Sequence, residues 1–84
     1  MKKGGAMAFD RVGFRKDSGL RIRLLRKRVG LTQKQTAEQL GLSRATFANI
    51  ESGRQAIVLD CAWRLAIVLG VHLNRLTPRS VLRW

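Results

Sequence analysis

The chain has few of the features that mark secreted and membrane proteins. Its single cysteine, Cys61, can form no internal disulfide bond, so we expect the reducing environment of the cytoplasm. No apolar run approaches the ~18 residues that a membrane-spanning helix needs. Lys2 and Lys3 are not followed by the apolar core of a secretory signal. We therefore expect a cytoplasmic, nucleoid-associated protein if the partner of this basic chain is DNA.

Acidic residues are scarce too. The 84-residue chain contains 5 Asp and Glu against 17 Lys and Arg, which gives a formal net charge of +12. A chain with this charge attracts polyanions, so nucleic acid is the first partner to consider, before an anionic membrane surface or an acidic protein. With 45% hydrophobic residues it can form one small domain, and dimerisation would stabilise the marginal core of such a domain.

Constellations for catalysis and metal binding are also missing from the sequence. One histidine, His72, and one cysteine do not make up a metal site. No nucleophile, base and orienting residue are arranged for catalysis, and Ser43 is better explained as a helix cap. We therefore expect no enzyme, no metal and no cofactor.

What is present centres on residues 31–53, with the sequence LTQKQTAEQLGLSRATFANIESG. Thr32, with Gln35 three residues later, has the spacing of a capping box at a helix start. Gly41 suits the left-handed end of that helix, and Ser43 can cap a second one. Two helices joined by a short turn that contains glycine form a helix-turn-helix, whose second helix enters the DNA major groove.

A helix is predicted on each side of this stretch. Over residues 18–29, Ile22, Leu25 and Val29 form an apolar stripe at i, i+3 and i+7. The remaining surface of that helix is basic and is covered by Arg21, Arg23, Arg26, Lys27 and Arg28. A fourth helix is predicted over residues 59–69. Its expected core face consists of Leu59, Ala62, Leu65, Ala66 and Leu69.

Two apolar surfaces lie outside these core faces. Leu20 and Leu24 form a second pair on the first helix, which we expect to receive the N-terminal arm or another subunit. The helix over residues 59–69 is apolar nearly all round, and a chain of this size cannot bury it alone. We therefore expect Trp63 and Ile67 to contact a second subunit. The alternative is an exposed tryptophan that packs on the arm, since single apolar residues are common on protein surfaces.

The two ends of the chain are less regular. Residues 1–17 contain three glycines and are predicted to be a flexible basic N-terminal arm, either a solvated tail or an arm that contacts phosphates or the minor groove. Residues 71–77 fit a short fifth helix, which we favour, or a short strand. Leu73 and Leu76 are further candidates for the dimer interface, and residues 77–84 form an apolar, basic tail.

These pieces together resemble the phage-repressor and Cro-like helix-turn-helix family, often called XRE-type. The resemblance runs without gaps from Ile22 to Leu76. It rests on Leu31-Thr32-Gln33, Ala37-Glu38, Leu40-Gly41-Leu42-Ser43, Ile50-Glu51 with Gly53, and Leu69-Gly70-Val71. The resemblance implies an all-α fold, a compact five-helix lambda-repressor-like domain over residues 18–76, in which helices 2 and 3 are the DNA-reading pair.

Two places depart from the pattern of that family. Thr36 stands where members often have a leucine, which makes this part of the core less apolar. Ile57 and Val58 stand where members often have a proline and a serine before the fourth helix. Neither departure is expected to break the fold, but the second is expected to alter the loop that touches the DNA backbone.

Candidate base contacts lie on the outward face of the third helix. If that helix starts at Arg44, then Arg44, Ala45, Ala48, Asn49 and Ser52 share one side. Recognition helices contact base edges near their start. We expect Arg44 to fork onto a guanine, Ala45 to meet a thymine methyl group and Asn49 to pair with an adenine. The alternative for Arg44 and Asn49 is that they are merely solvated polar residues.

Candidate phosphate contacts surround this face. The resemblance implies that Gln33, at the start of the second helix, binds a backbone phosphate with help from the helix N-terminus. Thr46, Arg54 and Gln55 flank the reading face and are expected to hold phosphates too, which adds affinity without choosing sequence. Glu51 is expected to pair with a nearby arginine and not to read a base.

The sequence thus predicts a dimeric transcription regulator, an (auto)repressor that reads a palindromic operator with its third helix. One alternative is an antitoxin resembling HipB-like proteins, which binds DNA and a cognate toxin, and a controller of a restriction-modification cluster is equally compatible with the size. A third hypothesis is a peripheral membrane or RNA-binding protein driven by charge alone. It has little support, because the chain lacks stacking aromatics on a basic strand surface. The expected partners are double-stranded DNA, a second copy of the chain and, for an antitoxin, a toxin.

Overall fold

The structure, a computed structural model, describes residues 9–78. Within that range the chain forms four α-helices and one short 3₁₀ helix, and no strand. The helices are α1 (Arg11–Arg28), α2 (Gln33–Leu40), α3 (Arg44–Ser52), α4 (Leu59–Leu69) and the 3₁₀ helix (Leu73–Leu76). The predicted all-α class is therefore confirmed. The fifth helix is a single 3₁₀ turn and not an α-helix, and the alternative of a strand at this place is wrong.

The start of α1 differs from the sequence-based prediction. The helix begins at Arg11 and not at residue 18, so residues 11–17 are helical where an arm was expected. Asp10 caps this helix by accepting a hydrogen bond from the backbone N–H of Gly13 at 2.9 Å. Gly13 lowers helix propensity by only ~1 kcal/mol, and the cap offsets that cost. The rest of the predicted arm, with Lys2 and Lys3, lies outside the described residues.

The core is formed by apolar side chains from all five elements. They are Ile22, Leu25, Ala37, Leu40, Phe47, Ile50, Ala62, Leu65, Ala66, Leu69 and Leu76. Two side chains that the periodicity placed in the core are exposed, Val29 by 47% and Leu59 by 74%. Val29 is the C-terminal cap of α1 and Leu59 is the first residue of α4. Both stand at helix ends, where the apolar stripe extends beyond the neighbouring helices.

Leu76 lies inside the core of a single chain. The 3₁₀ helix packs on both α1 and α4, and this contact leaves Leu76 only 2% exposed. The prediction that Leu76 contacts a second subunit is therefore wrong. Leu73 is partly buried against the same core, so most of its contact is also within the chain. The apolar residues Val71, Leu73 and Leu76 alternate with polar ones because this segment packs back onto the core of its own domain.

Other apolar side chains remain on the surface. Trp63 and Ile67, four residues apart on α4, are 60% and 66% exposed. Leu20 and Leu24, with the same spacing on α1, are also exposed. Among the described residues, no helix is long and apolar enough to cross a bilayer. The apolar tail residues Val81, Leu82 and Trp84 lie outside the range that the structure describes.

Candidate nucleic-acid interface

The paired helices α2 and α3 are set by local caps. Thr32 Oγ1 accepts a hydrogen bond from the Gln35 N–H at 3.0 Å, and Gln35 Oε1 accepts one from the Thr32 N–H at 2.9 Å. Gly41 ends α2 with φ +69°, a conformation that glycine adopts without strain. Ser43 then caps α3, because its Oγ accepts from the N–H of Thr46 at 3.0 Å. The predicted capping box and turn are thus confirmed residue by residue.

Thr36 fills the core position where a leucine is frequent. Its side chain is fully buried, and its Oγ1 donates a hydrogen bond to the backbone carbonyl of Thr32 at 2.9 Å. A buried hydroxyl with a partner costs little, whereas an unpaired one is expensive. Having threonine instead of leucine at position 36 therefore reduces the buried apolar area but leaves no buried hydroxyl of α2 without a hydrogen bond.

A buried ion pair joins the helix pair to α1. Arg26 Nε donates to Glu51 Oε2 at 2.6 Å, and Arg26 Nη2 donates to Glu51 Oε1 at 3.1 Å. Arg26 Nη1 also donates to the carbonyl of Leu31 at 2.8 Å. Both charged residues are only 7% exposed. The expected arginine partner of Glu51 is therefore confirmed, whereas the expected exposed position of Arg26 is wrong because its guanidinium reaches inward to this carboxylate.

Gln33 belongs to the same network. Its Nε2 donates a hydrogen bond to Glu51 Oε1 at 2.9 Å, and the residue is half-buried at the start of α2. One amide N–H is thereby used. A glutamine amide has two such donors, so one remains for an external acceptor. Glu51 therefore holds the Gln33 side chain at the N-terminus of α2. This is the position at which Gln33 is predicted to bind a phosphate.

The two faces of α3 differ as the spacing predicts. Phe47 and Ile50 are buried, whereas Arg44 and Ala45 are exposed in the first turn. Asn49 is half-buried one turn later. The other two residues of the predicted outward face are the half-buried Ala48 and the exposed Ser52. The structure therefore brings Arg44, Ala45 and Asn49 onto one accessible side of the helix.

The loop after α3 is anchored at its beginning. The N–H groups of Arg54 and Gln55 both donate to the carbonyl of Asn49, at 2.9 and 3.2 Å, and both residues are exposed. Thr46 is half-buried, and its Oγ1 accepts a hydrogen bond from Ser43 Oγ at 2.9 Å. The hydroxyl proton of Thr46 stays available to an external acceptor. The three flanking candidates thus border the outward face of α3.

Sequence reasoning missed the contact by which α1 supports α3. A Cβ on Gly19 would lie 2.6 Å from the carbonyl oxygen of Ile50, and one on Gly53 would lie 2.8 Å from Lys16 Cα. Real side chains do not come this close, so the two glycines allow the backbones of α1 and α3 to touch. The available signal was Asp10 three residues before Gly13, a cap spacing that predicts an earlier helix start.

Comparison with known families identifies this arrangement. The model of the family described as "Helix-turn-helix domain" matches residues 18–77. The chain belongs to the helix-turn-helix family, of the XRE-like type. The resemblance drawn from the short motifs is therefore confirmed.

Individual proteins and solved structures are similar to more than half of this chain. An uncharacterized HTH-type transcriptional regulator of Methanothermobacter thermautotrophicus is 45% identical over 49 residues, which are 58% of this chain and 71% of the relative. The restriction-modification controller protein C.AhdI from Aeromonas hydrophila has 31% identity and a TM-score of 0.69, over 73% of this chain and 92% of its own. The hydroxypropylphosphonic acid epoxidase from S. wedmorenis shows 26% identity and a TM-score of 0.74 over 80% of this chain, but over only 36% of the enzyme.

Proposed function

We propose that the protein is a homodimeric transcriptional repressor that reads a palindromic operator with α3 in the major groove. The observation that carries this proposal is the exposed start of α3. Arg44 and Ala45 are exposed there, while Phe47 and Ile50 fix the opposite side of the helix in the core. Recognition helices contact base edges with their N-terminal residues, so this side of α3 is placed to read DNA.

Each candidate residue has a role that follows from its chemistry. Arg44 donates two hydrogen bonds to O6 and N7 of a guanine, Ala45 contacts a thymine methyl group, and Asn49 pairs with an adenine. Four further side chains hold phosphates and fix the register, namely Gln33, Thr46, Arg54 and Gln55. The hydrogen bond from Gln33 to Glu51 supports its role, because it orients the amide before DNA arrives.

The second subunit is proposed to pack on α4. Trp63 and Ile67 lie on one side of that helix and are 60% and 66% exposed. Neighbouring exposed apolar side chains of this size mark interaction sites in soluble proteins. A two-fold dimer formed through α4 presents two α3 helices to one face of DNA, which requires two half-sites of opposite orientation. In this proposal the domain of residues 18–76 acts on the nucleoid in the cytoplasm.

A second candidate function is the control of a restriction-modification cluster. It is favoured by the similarity to C.AhdI, which extends over 92% of that controller. Such a controller binds DNA through the same surface, so the two candidates differ in the regulated gene and not in the site. The antitoxin hypothesis depends on the C-terminal tail, which lies outside the described residues, and no observation on residues 9–78 adds to it.

Selection of bound sequences from a random DNA pool tests the proposal. We expect a motif with two-fold symmetry and a half-site spacing near one helical turn, ~10 bp. Affinity for this motif should exceed affinity for random DNA by at least ~10³ at physiological salt. Binding should also weaken steeply with salt, because Lys and Arg contacts release counterions. Equal affinity for selected and random DNA would refute sequence-specific regulation.

A further inference from the structure

The exposed side of α4 carries one acidic and one basic residue beside its apolar pair. Asp60 and Arg64 are both exposed and stand four residues apart, so they share one side of the helix with Trp63 and Ile67. Asp60 and Arg64 also line the same surface cavity. The charges on this side of α4 therefore sum to zero, although the whole chain carries a net charge of +12.

These two charges have no ionic partner in the part of the chain that the structure describes. The salt bridges of residues 9–78 lie within α1 and between α1 and α3, and neither of them includes Asp60 or Arg64. An acid and a base four residues apart can pair along a helix, but these two side chains do not. Both remain available to charged groups of another molecule.

The other exposed apolar surface has a different charge pattern. Leu20 and Leu24 on α1 stand beside Arg23, Lys27 and Arg28, which are all exposed and all basic. Two copies of the chain that met through this surface would bring like charges together, which is unfavourable at an interface. Of the two apolar surfaces, the side of α4 is therefore the one whose charges are compatible with a second copy.

The spacing of the charges also selects one arrangement of two α4 helices. In a two-fold dimer, each residue of one copy meets its counterpart by the same rule in both directions. If the helices run antiparallel and the axis lies level with Ala62, Asp60 of each copy faces Arg64 of the other. A parallel pair would place Asp60 opposite Asp60 and Arg64 opposite Arg64. The charges therefore favour the antiparallel arrangement.

Trp63 has a defined place in this arrangement. It lies one residue from the level of the axis, and the helix rises ~1.5 Å per residue, so the two Trp63 residues are offset by only ~3 Å along the helices. The two indole rings can therefore pack on one another, a contact that adds to the apolar area they bury. The same axis position thus serves both the charges and the largest exposed side chain of α4.

We propose that two copies of the chain pack through antiparallel α4 helices, with Asp60 of each copy in a salt bridge with Arg64 of the other and the two Trp63 rings in contact at the axis. The inference rests on the proposed homodimer and adds its direction and register. Because the dimer is symmetric, the salt bridge occurs twice. The pair of charges then determines which chains can associate.

Two charge reversals on the full chain test this register by sedimentation velocity at several concentrations. Asp60→Arg makes both positions basic, and Arg64→Asp makes both acidic, so each variant alone meets like charges in its own dimer. We expect each to raise the dimer dissociation constant at least ~10-fold over that of the wild type. An equimolar mixture of the two variants should restore dimer formation, because both salt bridges form again between a basic and an acidic copy.

Arg23→Asp is the matched control. It makes the same reversal as Arg64→Asp at an exposed position of α1, so it gives the chain the same net charge. Alone it should dimerise like the wild type, and its mixture with Asp60→Arg should form fewer mixed dimers than the mixture with Arg64→Asp. Circular dichroism should show every variant folded. Asp60 is in the first turn of α4, where an acid stabilises the helix, but mixing cannot repair a weakened helix.

Three results with a dimeric wild type would overturn the register and leave the dimer itself standing. They are reversal variants that dimerise as tightly as the wild type, a mixture of the two that stays monomeric, and equal recovery when Arg23→Asp replaces Arg64→Asp in the mixture. The last would mean that the charge of the whole chain controls association. A wild type that is monomeric at all concentrations would instead refute the proposed homodimer, and would leave the exposed side of α4 to the chain's own ends or to another protein.

Discussion

Arg26 of α1 and Glu51 of α3 form a buried ion pair at 2.6 Å, although 25 residues separate them in sequence. Glu51 also accepts a hydrogen bond from Gln33 at the start of α2. One carboxylate therefore connects three helices, and the position of α3 relative to α2 depends on it as well as on the local caps.

Removing one partner of this pair should strongly destabilise the domain. Glu51→Leu leaves the Arg26 guanidinium buried without a counter-charge, and we expect the free energy of unfolding to fall by about 3–5 kcal/mol. Urea denaturation followed by circular dichroism measures this loss. The control Asp17→Asn breaks the exposed pair with Arg21 and should cost less than ~1 kcal/mol. The double variant Arg26→Met/Glu51→Leu should recover most of the stability, and a double variant as unstable as Glu51→Leu would contradict this account.

The close approach of α1 and α3 predicts a large effect at Gly19. In Gly19→Ala the new methyl group meets the carbonyl of Ile50 at 2.6 Å, so α1 must move. We expect a loss near the upper end of the ~1–3 kcal/mol that overpacking costs. Gly30→Ala is the matched control, because Gly30 has φ +80° but nothing within 4 Å of its Cβ position. It should cost only ~1–2 kcal/mol from backbone strain, and thermal melts showing Gly19→Ala to be the milder change would contradict the contact.

The proposed dimer surface can be tested with one introduced charge. Ile67→Asp should convert a dimer into a monomer in sedimentation velocity, without loss of helix signal, because the carboxylate would be buried unpaired in the interface. Val58→Asp is the control, since Val58 is 67% exposed and stands at the N-cap of α4, where an acid is tolerated. A dimer that persists in Ile67→Asp would exclude this side of α4 as the interface.

Arg44 and Arg54 should separate specificity from affinity. Arg44→Ala should reduce discrimination between the selected operator and random DNA by ~1–3 kcal/mol. Arg54→Ala removes the same charge from a proposed phosphate contact, so it should weaken both complexes alike and lower the salt dependence. Fluorescence anisotropy at several salt concentrations measures both effects. If the two variants lose specificity to the same degree, Arg44 is not the base reader.

The thiol of Cys61 should react slowly with alkylating reagents. Partial burial raises the pKa of the Cys61 thiol, Asp60 raises it further, and Arg64 opposes them. A raised pKa leaves less thiolate at a given pH, and the thiolate is the nucleophile. The midpoint of the pH profile for iodoacetamide should therefore lie higher in the folded protein than in urea. An identical midpoint in both states would show that the surroundings of Cys61 do not disfavour its charge.

The features that sequence predicted well are those decided within a few residues. The Thr32–Gln35 box, the Gly41 turn and the Ser43 cap depend on neighbours in sequence, so spacing alone identifies them. Arg26 could not be placed this way, because its inward direction depends on a carboxylate 25 residues later. Leu76 was misassigned for a similar reason, since only the return of the 3₁₀ helix to the core decides which side of that segment is buried.

The candidate base and phosphate contacts could be predicted from the sequence only in part. Their exposure on α3 follows from the inward positions of Phe47 and Ile50, which sequence showed. The hydrogen bond held by Gln33 comes from a tertiary contact with Glu51, 18 residues later, which spacing within α2 cannot reveal. The early start of α1 was missed because the glycines of residues 1–17 predicted an arm, whereas the Asp10 cap starts the helix at Arg11.

The Arg26–Glu51 pair also has an electrostatic consequence for a protein that is to meet a polyanion. An unpaired carboxylate beneath the N-terminus of α2 would repel the phosphate that Gln33 is proposed to hold. The guanidinium 2.6 Å away cancels that charge at its source, so little negative field reaches the surface above. Glu51 can therefore link α1, α2 and α3 without making the electrostatic potential negative at the surface that incoming DNA meets.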